Sequence, residues 1–300
     1  MMNKLQNSEL KILAEEIRDN VFVPSVGRKR TVFLCGADLN DRTTGRHKMA
    51  KLLKSKKNYE VLYPEDIFED LMYGQGQYSL LELENVLASS VDAIILLPES
   101  PGSFAELGAF ASNEKLVCKI VCIGEKKYKK RKSFINYGPL RIIKSNATGK
   151  LINISYDDIE SDYKKEKVYR RINASITKIR NESPVYRNVA NIMETENFVL
   201  PCVYLMGFVS SSELCKLVHY ATGESEEISD IATKSSISRL IKNNYIRRTQ
   251  SEYQTTSKGM DRVRSLVKSV NLDRVRTEII NSQQRNKTMV KSANFESAHP

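Results

Sequence analysis

Between residues 8 and 21, Leu10, Leu13, Ile17 and Val21 fall three or four apart among charged neighbours, which predicts a helix whose one apolar face docks on the domain C-terminal to it. From Thr31 the pattern changes. Short apolar runs at Thr31–Cys35, Glu60–Tyr63, Ala93–Leu97, Val117–Ile123 and Leu151–Ser155 alternate with helical stretches through Ala50 and Leu53, over Ser79–Ala88 and over Phe104–Ala111. Five such runs with helical crossovers predict an α/β domain over residues 31–155, a doubly wound parallel sheet covered on both faces. Ser79-x-x-Glu82 has the spacing of a capping box and marks where its helix begins.

Residues 156–195 are rich in Lys, Arg, Asn and Glu, with Val168, Ile172, Ile176 and Ile179 at weak helical spacing. They predict a helical connector ending near Ser183-Pro184. In the domain expected over 196–280, Ser210–Tyr220 turns Leu214, Leu217 and Val218 inward, and Ser229–Asn243 does the same with Ile231, Ile237, Leu240 and Ile241. Two strand signals come next, Tyr245–Gln250 and Tyr253–Thr256, and Thr256-x-x-Gly259 starts another helix. Helix, helix, ribbon and helix resemble a winged helix-turn-helix, whose second helix enters the major groove while the ribbon lies along the backbone. On that arrangement Lys234, Ser235, Ser236, Ser238, Arg239 and Lys242 face DNA, and Arg247, Arg248 and Lys258 meet phosphates. Asn and Gln are scarce on the helix face, which favours recognition of shape or backbone. The alternative is a protein-binding module with a solvated basic face. Residues 1–30 are expected as an N-terminal helical arm and 281–300 as a flexible tail.

Charge sharpens this division. The chain carries 47 Lys and Arg against 36 Asp and Glu, a net +11. Residues 231–300 hold much of the excess, directly after the acidic stretch Ala221–Asp230. A second basic block, Lys126–Lys132, comes after an apolar strand and reads first as a solvated loop and second as a phosphate contact. With 41% apolar and 28% charged residues the composition excludes fibrous and low-complexity classes. The longest apolar run, Ala93–Leu97, is far short of a membrane span, and Met1–Leu10 is too polar for a signal peptide, so the expectation is cytoplasmic. The five cysteines form no Cys-x-x-Cys pair and the three histidines are scattered, so buried thiols and no metal are expected.

In doubly wound sheets ligands bind beyond the carboxyl ends of the strands where the order reverses; for the flavodoxin-like order 2-1-3-4-5 that is between the first and third strands. The two loops there are Cys35-Gly36-Ala37-Asp38 and the run from Pro98 through Gly102 and Ser103 to Glu106 and Gly108. Both have small residues for close backbone approach, and both carry acids. Neither a Gly-x-x-x-x-Gly-Lys-Ser/Thr loop nor a Gly-x-Gly-x-x-Gly after the first strand is present, which disfavours phosphate-cradling NTPases and ordinary dinucleotide oxidoreduction.

Phe33-Leu34-Cys35-Gly36-Ala37-Asp38, Tyr63-Pro64-Glu65-Asp66, and Asp92 to Pro98 with Gly102-Ser103-x-x-Glu106-x-Gly108 after it resemble the nucleoside 2-deoxyribosyltransferases and related nucleotide N-glycosidases over about residues 30–155. With the C-terminal module, the chain resembles the ribosyltransferase-like, DNA-binding effectors of bacterial retron defence systems. The resemblance implies that Glu106 attacks C1′ of the sugar or stabilises the cation there while the base leaves. A carboxylate suits this chemistry independently, because breaking an N-glycosidic bond builds positive charge on the sugar ring. Asp38 and Asp66 are candidates to grip sugar hydroxyls or protonate the base, Ser103 to hold a phosphate or hydroxyl, and Cys35, Gly36, Pro98 and Gly102 to line the substrate site. Against this, Ser103-x-x-Glu106 is also a capping-box spacing, and Asp38 is equally a turn residue. Relatives often have Asp-Gly-Thr where this chain has Ser100-Pro101-Gly102-Ser103, which leaves substrate preference open.

The resulting expectation is an antiviral-defence N-glycosidase or ribosyltransferase acting on a nucleotide, NAD foremost, without a cofactor. The resemblance implies as partners a reverse transcriptase and its branched multicopy single-stranded DNA (msDNA), in a homo-oligomer or larger assembly and not at a membrane. The rival reading is a DNA-binding regulator whose α/β domain senses a nucleotide without turnover.

Overall fold

A computed structural model describes residues 6–24, 29–63, 79–279 and 281. The chain divides into two compact units, Val26–Tyr186, and Met1–Ser25 with Arg187–Pro300. The helix α1 (Asn7–Asn20) belongs to the second.

The first unit runs β1 (Arg30–Cys35), α2 (Gly45–Lys54), β2 (Tyr59–Leu62), α3 (Leu80–Ser90), β3 (Ala93–Leu96), α4 (Pro101–Ser112), β4 (Ile120–Glu125), α5 (Pro139–Ser145), β5 (Lys150–Ile154) and α6 (Lys165–Glu182). Its five strands form one sheet in the order β2-β1-β3-β4-β5, every pair parallel. Val32 lies opposite both Val61 and Ala93, and Leu96 opposite Cys35 and Cys122. All of β3 is buried, as expected of a central strand with helices on both faces. On one face Val32, Leu34, Ile95 and Val121 pack with Met49 and Leu53 of α2 and with Ile172 and Ile176 of α6. Phe33 meets Phe110 of α4, ring centroids 6.2 Å apart.

Two boundaries differ from the sequence pattern. The fourth strand starts at Ile120, because Glu114–Val117 is a helical turn whose N-cap Asn113 accepts from the Lys115 N–H. The expected connector is not one piece. The stripe Val168, Ile172, Ile176 and Ile179 of α6 is buried against the sheet, and the division between units falls after Tyr186, inside the stretch 156–195 expected as a connector. Arg180 of α6 pairs with Asp92 at 3.3 Å, and Asp92 also accepts from the Thr31 N–H at 2.8 Å. This places Asp92 at the amino end of β3, away from the carboxyl-end switch point.

The second unit continues with α7 (Glu196–Met206), β6 (Val209–Ser210), α8 (Ser211–Thr222), α9 (Glu226–Lys242), β7 (Ile246–Thr249), β8 (Glu252–Thr255), α10 (Ser257–Leu266) and α11 (269–279). Its strands form an antiparallel sheet in the order β6-β8-β7. Leu10, Leu13 and Ile17 of α1 share a core with Leu214, Leu217 and Val218 of α8 and with α7, so the apolar face at the start of the chain completes this unit and not the sheet next to it in sequence. The expected tail lies outside the described residues apart from 281. No helix among the described residues is long and apolar enough to cross a membrane.

The Thr256 hydroxyl caps α10 by accepting from the Gly259 N–H at 3.1 Å. A Cβ on Gly259 would lie 2.0 Å from the Tyr245 carbonyl oxygen, whereas one on Gly102 meets nothing within 4 Å. Gly259→Ala should therefore destabilise the second unit by about 1–3 kcal/mol in urea unfolding, with Gly102→Ala costing less than about 1 kcal/mol. Equal midpoints for the two variants would contradict this packing.

Candidate active site and basic surface

The strand order puts the switch point between β1 and β3, and at their carboxyl ends Glu99 ties the two loops together. One oxygen of its carboxylate accepts from the Arg46 N–H at 2.8 Å and the Ala37 N–H at 3.4 Å, and the other accepts from the Gly45 N–H at 2.7 Å. It thus occupies the N-terminus of α2, where free amides and the helix dipole favour an anion. Gly36 makes this approach possible, since a Cβ there would sit 2.7 Å from the Arg46 Cβ and 3.1 Å from a Glu99 oxygen. Arg46, buried although charged, donates to the carbonyls of Leu34 and Ala37 and lies over the Tyr63 ring. The loops after β1 and β3 and the end of β2 are in this way tied together.

The cap of α4 settles one ambiguity. Ser100 is its N-cap, Pro101 takes the first helical position, and Ser103 stands three residues on. The Ser100 hydroxyl accepts from the Ser103 N–H at 3.2 Å, and the buried Ser103 hydroxyl accepts from the Glu99 and Ser100 N–H groups at 3.0 and 2.8 Å. Glu106 therefore has no capping task, which corrects the capping-box spacing read from Ser103. The Ser103 hydroxyl also donates to the Ser100 carbonyl, so it is committed to this turn and does not face a ligand.

Glu106 is turned inward, with its Oε2 shielded from solvent. The buried Cys35 thiol at the end of β1 lies close enough to its carboxylate to feel its charge. Burial first, then the negative charges of Glu106 and Glu84, push this thiol well above its ordinary range, with Arg46 pulling weakly the other way. Cys35 is therefore a neutral thiol and not a thiolate. Sequence reasoning misses Glu84. It is buried on α3 beside Leu83, Leu87 and Ala88, and an acid on an apolar helical stripe is the signal that could have found it.

The other predicted residues scatter. Pro98 and Gly102 flank the Glu99–Ser100 turn, with Gly102 exposed. Asp38 is exposed and accepts from the Asn40 N–H at 2.9 Å, the geometry of a turn residue. Asp66 lies outside the described residues. The α3 helix begins at Leu80, directly after Ser79, but the Glu82 side chain is also outside them. No cluster of three or more His, Cys, Asp or Glu able to hold a metal occurs among the described residues.

In the second unit α9 is not an open recognition face. Ser229, Thr233, Ser235 and Ser236 are buried, and the Ser236 hydroxyl donates to the Ala232 carbonyl at 2.7 Å. Arg239 is drawn inward: it pairs with Glu196 at 3.2 Å and donates to the Ile192 carbonyl and the Ser235 hydroxyl. Ser236 and Arg239 are thus corrected as DNA contacts. Lys234 is paired with Asp230 at 2.7 Å, and the exposed first turn holds Glu226 and Glu227. Of the predicted DNA contacts, Lys242, Arg247, Arg248 and Lys258 are exposed. Arg247 donates to Gln254, Arg248 to the Gln250 carbonyl and Lys258 to the Asn243 carbonyl.

Residues 42–248 match the family described as STM3845 retron effector protein. The chain is 38% identical over 307 residues, spanning 100% of both proteins, to the Escherichia coli "Retron Ec86 putative ribosyltransferase/DNA-binding protein". The Escherichia coli protein of retron Ec73 that carries the same description is 35% identical over 120 residues, 38% of each chain.

With Ser100 as the cap, Ser100→Ala should cost about 1 kcal/mol of stability. Ser112→Ala, which removes an exposed hydroxyl at the other end of α4, should stay within about 0.5 kcal/mol. Chemical denaturation of the two variants beside wild type measures the difference.

Proposed function

The chain belongs to the STM3845 retron effector family, and from that premise we propose that it is an N-glycosidase or ribosyltransferase of antiviral defence that breaks the C1′–N bond of a nucleotide. The observation that carries this reading is Glu106: an inward carboxylate at the β1–β3 switch point, relieved of capping by Ser100 and beside the buried Cys35 thiol. The ribosyltransferase description of the retron Ec86 relative supports it.

In the proposed reaction the electron pair of the C1′–N bond leaves with the base, and positive charge develops on C1′ and the ring oxygen. Glu106 either holds that cation or bonds to C1′; water or another acceptor then delivers its oxygen to C1′ and loses a proton, in the covalent case as the Glu106–C1′ bond breaks and the carboxylate is released. The Cys35 thiol lies beside the carboxylate, and Glu84 adds a second negative charge nearby, favourable to a cation and costly in its absence. NAD is the favoured substrate because its nicotinamide is already cationic and departs neutral without a general acid. That fits a site in which Asp38 is occupied by a turn. The residues call for no cofactor.

The order helix, strand, helix, helix and two-strand ribbon from α7 to β8 supports a winged helix for the second unit, and the relative's DNA-binding description supports nucleic acid as its partner. Because α9 is largely covered, we assign the contact to the exposed cations of the ribbon and its flanks, Lys242, Arg247, Arg248 and Lys258, acting on phosphates. The nucleic acid proposed is the msDNA of the retron, held with its reverse transcriptase, in a homo-oligomer or larger assembly.

Release of free base from NAD and a nucleotide panel, by wild type and Glu106→Gln, tests the chemistry. Glutamine keeps the shape but not the charge, so turnover should fall on the order of 100-fold or more with an unchanged circular dichroism spectrum. Equal activity would remove Glu106 from the reaction. No turnover by wild type, alone and with the retron nucleic acid, would favour a nucleotide-sensing regulator. For the second unit, Arg247→Ala/Arg248→Ala/Lys258→Ala should weaken DNA binding and reduce its salt slope by about 3. Arg239→Ala should instead lower the melting temperature, and normal DNA affinity in the triple variant would move the contact elsewhere.

A further inference from the structure

Beyond the carboxyl ends of β3, β4 and β5 lies an open cleft of about 610 Å³, which Pro98 and Glu99 border and whose lining does not include Glu106. Phe104 forms part of its wall. Phe104 and Glu106 are two residues apart on α4, which at about 100° per residue turns them to nearly opposite sides of the helix. Glu106 faces Cys35 and Glu84, and Phe104 faces the cleft.

The cleft draws on the basic block that the sequence presents first as a solvated loop. Alternate members, Lys127, Lys129 and Arg131, line it, with Tyr128 among them. The block is held in shape: Lys126–Tyr128 form a 3-10 turn, and the Asn136 side chain donates to the carbonyls of Tyr128 and Arg131 at 3.0 and 2.6 Å. Lys127 and Arg131 both stand over the Tyr128 ring, 5.0 and 4.6 Å from its centroid. Two carboxylates also reach the cleft, and each is already engaged by backbone amides. Glu99 accepts from Gly45 and Arg46, and Glu125 accepts from the Tyr156 N–H at 3.1 Å. The amides hold these carboxylates back without cancelling their charge, and three cations against two carboxylates leave the lining net positive. The half-exposed rings of Phe104 and Tyr128 offer flat apolar surface beside it.

We infer that this cleft is a second ligand site, which binds a nucleoside di- or triphosphate with its phosphates on Lys127, Lys129 and Arg131 and its base against Phe104. Cations pre-set on a clipped loop, aromatic surface and a volume within the range of small-molecule sites suit a nucleotide better than a long strand, which would need a continuous groove. The site stands independently of turnover at Glu106.

Isothermal titration calorimetry of the full chain with ADP, ATP and inorganic pyrophosphate tests it. Wild type should bind ATP and ADP, with affinity falling as salt rises. Lys127→Gln/Lys129→Gln/Arg131→Gln, all at exposed positions, should fold normally by circular dichroism and bind at least tenfold more weakly. Phe104→Ala should weaken the nucleotides but not pyrophosphate. Glu106→Gln should bind ATP as wild type does, which separates this site from the glycosidase reading whether or not that reading survives. Absence of ATP and ADP binding to wild type, or wild-type affinity in the triple variant, overturns the proposal. So does an outcome in which a short single-stranded oligonucleotide binds through the three cations and the nucleotides do not, since the cleft would then be part of a nucleic-acid track.

Discussion

The site depends on one carboxylate that takes the place a bound anion would have. Glu99 fills the amide cradle at the start of α2 and so fastens the loop after β3 to the loop after β1. Without it the first amides of α2 would lose their acceptors, and a buried or half-buried amide left unpaired costs about 1–3 kcal/mol. The fastening also fixes where α4 starts. Ser103 closes the turn on the Glu99 and Ser100 amides, Pro101 begins the helix, and every later residue of α4 takes its direction from that point. Gly36 is part of the same device, since only the lack of a Cβ lets Arg46 and Glu99 come so close.

The sheet is legible in the sequence because its central strands are buried on both faces, so they read as short, wholly apolar runs with turn residues between them. That pattern with helical crossovers leaves few arrangements, and the switch point comes from the order. The cap of α4 is harder. Ser100-x-x-Ser103 and Ser103-x-x-Glu106 overlap, and spacing alone cannot choose between them. Pro101 could have decided the matter, because proline is suited to the first helical position and its absent N–H is no loss there. Glu99 is not legible for another reason. It is an acid whose value lies in what it meets across the fold, and it belongs to no local motif.

The basic module shows the opposite failure. The inward apolar positions Ile231, Ile237 and Leu240 of α9 are where the periodicity puts them, but its serines and threonine, polar by type, do not form the outward face that polarity predicts. Small hydroxyl side chains can be buried in a helix because they return their hydrogen bond to the carbonyl four residues back, as Thr233 does to Ser229 and Ser236 does to Ala232. They then act as small packing residues that let α7 and α8 approach. Arg239, surrounded by such residues, finds its partners inward in Glu196 and the Ile192 carbonyl. Net charge per segment is therefore a sound guide to a basic module and a poor guide to which cations face out. Lys258 and Arg247 remain exposed because they lie on a ribbon and at a helix start, where one side has nothing to pack against.

In cross-section, α4 separates two regions of opposite sign. On one side Glu106 and Glu84 surround a neutral thiol, and on the other Lys127, Lys129 and Arg131 surround two carboxylates that backbone amides already satisfy. A cation developing on a sugar ring and the phosphates of a nucleotide make contrary demands, and one pocket could serve both only by pairing the charges of the protein with each other. Such pairing would neutralise the groups that each task needs. Placing the two sets on opposite faces of a helix keeps them from pairing with each other, and the turn that Glu99 fastens sets the angle between them. A single structural carboxylate thus governs the geometry of a negative cluster and of a positive one.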